Sequence, residues 1–247
     1  MTTHVIASRD EWLEARRDLL AAEKDLTRRS DEVARLRRQM PWVRVGKDYV
    51  FEGPDGAVTL AGLFDGRSQL VVQQFMLAPG WEQGCKSCSY MADHTDGMLA
   101  HLAARDTAMV AISRAPFAEI ERFRRRMGWS FPWVSSSGND FNYDYGVSFT
   151  PEQVADGAPK YNFGKPAFRD ELPGVSVFAK DEAGNVFHTY STYGRGVEVM
   201  MGTYRMLDLT PKGRDEHDGH PMAWVRHHDR YEPQPVAAAT SCCAAGR

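Results

Sequence analysis

Two short apolar runs, "QLVVQQFML" at 69–77 and "TAMVAIS" at 107–113, constrain the fold of this chain more than any other feature. Both are too short for a core helix, and both carry valine and other residues that fit a pleated surface. Neither alternates strictly between apolar and polar residues, so both predict strands buried on two faces. Between them, 88–105 reads as a helix. After the second run, Pro116 opens another helix, "PFAEIERFRRRM", which Gly128 closes. An extended segment, "FPWVSSSG", follows. This alternation implies parallel strands joined by right-handed crossovers.

Hairpins flank this centre. "DYVFEGPDGAVTL" turns at Pro54-Asp55-Gly56, and "VSVFAK" with "VFHTYSTY" turns at "DEAGN". A helix of roughly 197–207 comes next. The segment 150–172, with its prolines and glycines, reads as an insertion. The predicted class is α/β with a thioredoxin-like layout: a central mixed sheet flanked by helices, interrupted before its final hairpin. The expected organisation is an N-terminal helical extension at 1–41, the thioredoxin-like domain at 42–210, and an irregular segment with a flexible tail at 211–247.

The extension reads as helix over 8–40. Trp12, Leu13, Leu19, Leu20, Leu26, Val33 and Leu36 recur at spacings of three, four and seven. Ser30-Asp31 is a place to kink it, since both side chains compete for backbone hydrogen bonds. Pro41 stops it, and Arg35, Arg37 and Arg38 suit its C-terminal dipole. The apolar stripe suggests pairing between two copies. Acidic residues interleave with the basic ones, so the face reads as solvated, not as a nucleic-acid surface. Across 247 residues the net charge is −3, which carries no bias toward nucleic acid or membrane. No apolar run is long enough to span a bilayer, and the N-terminus lacks the apolar core of a secretion signal. A cytoplasmic location is the resulting expectation.

The four cysteines form two groups, Cys85 with Cys88 and Cys242 with Cys243. A four-cysteine zinc site is disfavoured, because adjacent cysteines are poor tetrahedral partners. In the predicted order, "GCKSC" follows a buried strand and opens a helix, where open α/β sheets gather their sites. Free N–H groups and partial positive charge at a helix start stabilise a thiolate, and Lys86 adds a cation. Cys85 is the expected attacking thiolate and Cys88 the resolving thiol. Gly84 is expected to admit a partner backbone closely, and Trp81 to wall a docking groove. Pro173, directly before a strand, is the expected facing element, and the context favours a cis bond there.

Alternatives are weighed on the same residues. The pair could be small buried hydrophobes, but Gly, Lys and Ser around it are not an apolar core. The run "AISRAPFAEIERFRRRMGWSFPWVSS" resembles the second strand and helix of peroxiredoxins. Those enzymes use Pro-x-x-x-Thr-x-x-Cys, whereas Pro79 lies six before Cys85 and Glu82 stands where the threonine would be. A thiol peroxidase is therefore the second reading, and a non-enzymatic binding or assembly protein the third. His217, His220, His227 and His228, with Asp215, Asp218 and Asp229, read as a solvated loop more than as a metal site. His94 and Asp93 could touch the thiol pair or simply pack. Tyr190, Tyr193 and Arg195 could line a pocket or form hairpin surface. Cys242 and Cys243 could relay electrons or a soft metal ion, against a plain tail. There is no P-loop, dinucleotide fingerprint or serine elbow, and neither cofactor nor metal is expected.

Several stretches resemble one family. "EWLEARRDLLAAEKDLTR", "PWVRVGKDYVFEGPDG", "LFDGRSQLVVQQFM", "GCKSCSYMAD", "RMGWSFPWVSS", "FNYDYGVSF", "HTYSTYGRG" and "LDLTPKGRDE" are similar to the bacterial family catalogued as domain of unknown function 899. The resemblance extends to about Tyr231 and implies a thioredoxin-like fold. It carries the family's predicted label of dithiol-disulfide oxidoreductase, with a protein or small-molecule disulfide as partner. The family often has histidine before "FM", where this chain has Gln74, and "SCC" is not part of the shared pattern.

Overall fold

The first element is helix α1 (Arg9–Arg38), 30 residues long. Ser8 and Glu11 form a capping box: each side chain accepts from the other's backbone N–H, at 3.3 and 2.8 Å. Asp10 and Glu11 in the first turn, with Arg35, Arg37 and Arg38 in the last, match the macrodipole. The expected kink is absent. The Ser30 hydroxyl donates to the Leu26 carbonyl at 2.9 Å, so it satisfies itself within the helix and leaves the ladder intact. The computed structural model describes residues 4–157, 160–216 and 221–232. The chain divides into two units, Met1–Val43 and Arg44–Arg247.

The two-residue strand β1 (Val43–Arg44) lies at the boundary between the units, and Arg44 begins the second. Then come the hairpin β2 (Val50–Gly53) and β3 (Gly56–Thr59), and the central strand β4 (Gln69–Gln74). Helices α2 (Lys86–Ala92) and α3 (Leu99–Ala103) lead to β5 (Thr107–Ser113), and α4 (Phe117–Met127) leads to β6 (Trp133–Ser135). Helix α5 (Phe141–Asp144) comes next, and the segment 150–172 holds α6 (Pro151–Asp156) and the small hairpin β7 (Lys160–Tyr161) and β8 (Lys165–Pro166). The hairpin β9 (Gly174–Lys180) and β10 (Val186–Tyr193) follows, then α7 (Gly202–Leu207). The main sheet runs β1-β10-β9-β4-β5-β6-β2-β3. β4, β5 and β6 are parallel, while β9 pairs antiparallel with β4 and β10 with β9. This is the predicted thioredoxin-like sheet.

The two faces of β4 and β5 build separate cores. Leu70, Val72, Ala108, Val110 and Ile112 pack with Phe51, Phe141 and Phe178. Met109 and Ala111 face Phe75, Phe123, Trp129, Trp133, Met91 and Cys88. Each fully buried apolar side chain of this kind contributes about 2 kcal/mol. The single helix expected over 88–105 is two. Asp93 to Gly97 are weak helix formers, and their carboxylates are engaged elsewhere. Asp93 accepts from the Trp129 indole at 2.9 Å, and Asp96 accepts from the Ser130 N–H and hydroxyl, both at 2.9 Å.

Candidate active site

The chain leaves β4, passes through Phe75 and Met76, and returns at Cys85, whose N–H donates to the Met76 carbonyl at 3.0 Å. Cys85 then caps α2. Gly84, one residue earlier, is buried. A Cβ there would lie 2.5 Å from Phe75 Cε1 and 2.8 Å from Phe123 Cε1. Two rings close over the space a side chain would need at this position. Trp81 and Cys85 are both part-buried against the same aromatic core. Lys86 donates to the Ala223 carbonyl at 3.1 Å. Sequence reasoning missed Gln73, whose side-chain amide donates to the Cys88 carbonyl at 3.2 Å from within the sheet.

The two thiols differ in kind. Cys85 is part-exposed and Cys88 fully buried, and both are free. Hydrogen bonding from Cys88, then from the backbone N–H groups of Cys88 and Ser87, pulls the Cys85 thiol down to about 6 against the opposing effect of burial. Cys88 moves up for the matching reasons. It donates to Cys85, it is buried, and the negative charges of Cys85 and Glu171 face it.

Glu171 is a second residue that sequence reasoning missed. Its side chain is 2% exposed and ion-paired to Arg114, and Ser148 donates to it at 3.1 Å. Arg114 also donates to the Tyr143 hydroxyl at 2.6 Å. Burial raises the Glu171 carboxyl, and Arg114 opposes that. Two residues on is Pro173, whose carbonyl accepts from the Tyr161 hydroxyl at 2.7 Å. Tyr161 in turn accepts from the Gly194 N–H at 2.8 Å and lies in electrostatic range of Cys88. Pro173 thus stands at the start of β9, beside the strand that feeds the thiol loop. Among the described residues no peptide bond is cis, so the expected cis bond is corrected to trans. The Leu172 N–H donates to Val147 O at 2.8 Å and Gly174 pairs with Gln74, an extended path that needs no tight turn.

At His227 the C-terminal segment departs from the solvated-loop expectation, whereas Asp215, His228 and Asp229 are exposed. His227 is 5% exposed, packs edge-on to Phe123, and bonds the Gly84 carbonyl at 2.9 Å through Nε2. His228 bonds Asp93 at 2.6 Å, and Arg126 pairs with Asp229 at 2.9 Å. His217, His220, Asp218, Cys242 and Cys243 lie outside the described residues. Among the described residues no group of three or more His, Cys, Asp or Glu side chains is placed to hold a metal ion.

The other candidates resolve into packing. His94 accepts from the Thr203 N–H at 3.1 Å and contacts the Tyr90 carbonyl at 2.9 Å, tying α2 to α7. Tyr193 donates to the Tyr145 carbonyl at 3.0 Å, and Arg195 pairs with Glu198 at 2.8 Å. Tyr190 lies in β10, and its own carbonyl bonds His188 at 3.1 Å. Gln74, where the family often has histidine, starts a buried chain. It donates to Ser176 at 2.6 Å, Ser176 bonds Ser191 at 2.8 Å, and Ser191 bonds His188 at 2.7 Å.

A mixed sheet with a thiol pair where its central strand meets a helix defines the thioredoxin-like class. Within that class the chain belongs to the bacterial family DUF899, described as "Bacterial protein of unknown function", which it matches over residues 1–231. No curated protein matches it. Solved structures similar to it include peroxidoxin BcpB from Mycobacterium tuberculosis, at 16% identity and TM-score 0.43, covering 68% of this chain and 96% of that one. A candidate thiol:disulfide interchange protein DsbE from Chlorobium tepidum is 15% identical with TM-score 0.39, covering 68% and 97%. Among the described residues no helix is long and apolar enough to cross a membrane.

Proposed function

We propose that the protein is a dithiol-disulfide oxidoreductase whose working groups are Cys85 and Cys88. The observation that carries this reading is the split pair: a part-exposed thiol pulled down to about 6, hydrogen-bonded by a buried thiol pushed up. The Cys85 thiolate attacks one sulfur of a substrate disulfide, forming a mixed disulfide and releasing the other sulfur as a thiolate, which takes a proton. Cys88 then loses its proton and attacks Cys85 Sγ. The Cys85–Cys88 disulfide forms, and the second substrate sulfur leaves as a thiol. Two electrons pass from the pair to the substrate, and an external dithiol returns them by the reverse route. Trp81, Gly84, Lys86 and Pro173 are the substrate-binding residues: Trp81 and Cys85 pack against the same aromatic core, Gly84 lies under two rings, Lys86 donates to the Ala223 carbonyl, and Pro173 leads into β9. The substrate is a protein or small-molecule disulfide, in a reducing compartment where such pairs cycle.

The test is trapping. With Cys88 replaced by serine, Cys85 should hold a mixed disulfide that mass spectrometry identifies. A Cys85 thiol that titrates near 8.5 and forms no disulfide with Cys88 would remove this reading. Peroxide is the competing oxidant. Position 82 is an exposed glutamate without the hydroxyl that orients peroxide, so oxidation by peroxide should be no faster, per thiolate, than that of a free thiol.

The same proposal assigns α1 to pairing with a second copy. Trp12, Leu19, Leu26 and Val33 recur every seven residues, and Leu19 and Leu26 are 54% and 68% exposed. Acidic residues outnumber basic ones from Arg9 to Glu23, and basic outnumber acidic from Lys24 to Arg38. An antiparallel pair sets each half against its opposite charge.

A further inference from the structure

The Gly84–Cys85 peptide is held at both ends. Its N–H, on Cys85, donates to the Met76 carbonyl at 3.0 Å. Its carbonyl, on Gly84, bonds His227 Nε2 at 2.9 Å. A carbonyl only accepts, so Nε2 carries the proton and His227 is the donor. That tautomer leaves Nδ1 of the neutral ring facing Arg126 Nη2 at 3.4 Å. Burial holds the ring below its usual protonation range. The imidazole also packs on Phe123, the ring that closes over Gly84.

The peptide plane so fixed sets the direction of the Cys85 Cα–Cβ bond. It therefore decides whether the thiolate meets the N–H groups of Ser87 and Cys88. The contact comes from a distant part of the chain, and that part is anchored independently. The Ala223 carbonyl takes the Lys86 ammonium at 3.1 Å, and the Arg126–Asp229 and His228–Asp93 pairs pin the same segment. The Glu216 carboxylate holds it further by accepting from the Met222 N–H at 2.7 Å and the Trp224 indole at 2.9 Å. Gly84 cannot lend its own side chain to this task, so a donor from elsewhere is the available means of capping its carbonyl.

We infer that His227 is a positioning residue for Cys85 and that residues 221–232 are part of the thiol-exchange apparatus, not a surface appendage. The inference rests on the dithiol reading above. Without the donor, the Gly84 carbonyl is buried and unpaired, and the peptide turns to find a partner. Cys85 then leaves its N–H donors, and its thiolate is less stable.

Two substitutions separate donor from shape. H227F keeps a ring against Phe123 and removes the donor, whereas H227Q keeps an N–H that reaches the carbonyl. On the full chain, H227F should slow iodoacetamide alkylation of Cys85 at pH 5, below its titration, about tenfold, with the thiolate titration moved up by about one unit. The Cys85–Cys88 potential should become about 30 mV more negative, the equivalent of tenfold. H227Q should stay within about twofold of wild type in alkylation, a smaller change than one pH unit of titration represents. If H227F does not fold, H227M supplies an apolar replacement without a donor. Wild-type titration and potential in a folded H227F or H227M protein would overturn the inference while leaving the dithiol reading intact. Equal damage from H227Q would overturn it as well. A wild-type Cys85 that already titrates near 8.5 would instead strike the dithiol reading itself.

Discussion

Cys85 and Cys88 carry the same group and are driven in opposite directions by their contacts. Each is the other's largest influence: the hydrogen bond between them lowers Cys85 and raises Cys88. A depressed thiol reacts as thiolate, so the alkylation rate of Cys85 should climb about tenfold per pH unit below 6 and level off above it. A plot still rising between pH 7 and 9 would contradict the assignment. Glu171 acts on the buried partner. E171Q removes a negative charge facing Cys88, so the Cys88 thiol should titrate lower than in wild type. The same change strips Arg114 of its charge partner and should cost about 3 kcal/mol, read from denaturant unfolding. Glu171 was not legible in the sequence, because its importance comes from where β9 begins against β4, and no local pattern announces that. His227 was visible only as one histidine among four, and it was the wrong company to judge it by. His228 binds Asp93, and His217 and His220 lie outside the described residues.

At the scale of elements, periodicity told the truth where burial and local propensity agree. β4 and β5 are buried on both faces and read as continuous apolar runs, and both hairpins were marked by their turns. The break between α2 and α3 was not legible. Apolar spacing continues across Asp93–Gly97, and the carboxylates that end the helix bind Trp129 and Ser130, which are distant in sequence. The packing around Gly84 was likewise not legible. A glycine before a cysteine suggests access, whereas here two phenyl rings occupy the space a side chain would need. G84A should therefore destabilise the protein by about 2 kcal/mol, as overpacking does. It should also perturb Cys85 alkylation, since the loop must shift to relieve the clash. A thermal scan superimposable on wild type would show that the rings give way easily.

At the scale of the molecule, α1 is a long, well-capped helix, and among the described residues none of its side chains is buried. Helices of ordinary proteins bury one stripe, so the exposed stripe calls for a partner. Sedimentation should show a dimer for the wild-type chain and a monomer for L19K/L26K, with the thiol chemistry unchanged. A wild-type monomer at tens of micromolar would reject the pairing.

The main sheet begins with a strand of two residues and ends with one of four, β1 and β3. Long open borders are where foreign strands join and where fibrils nucleate. Borders this brief present few unpaired N–H and C=O groups in a row, so a partner has little backbone on which to add itself as a further strand. The sheet thus resists templated aggregation at its margins while Cys85 stays part-exposed.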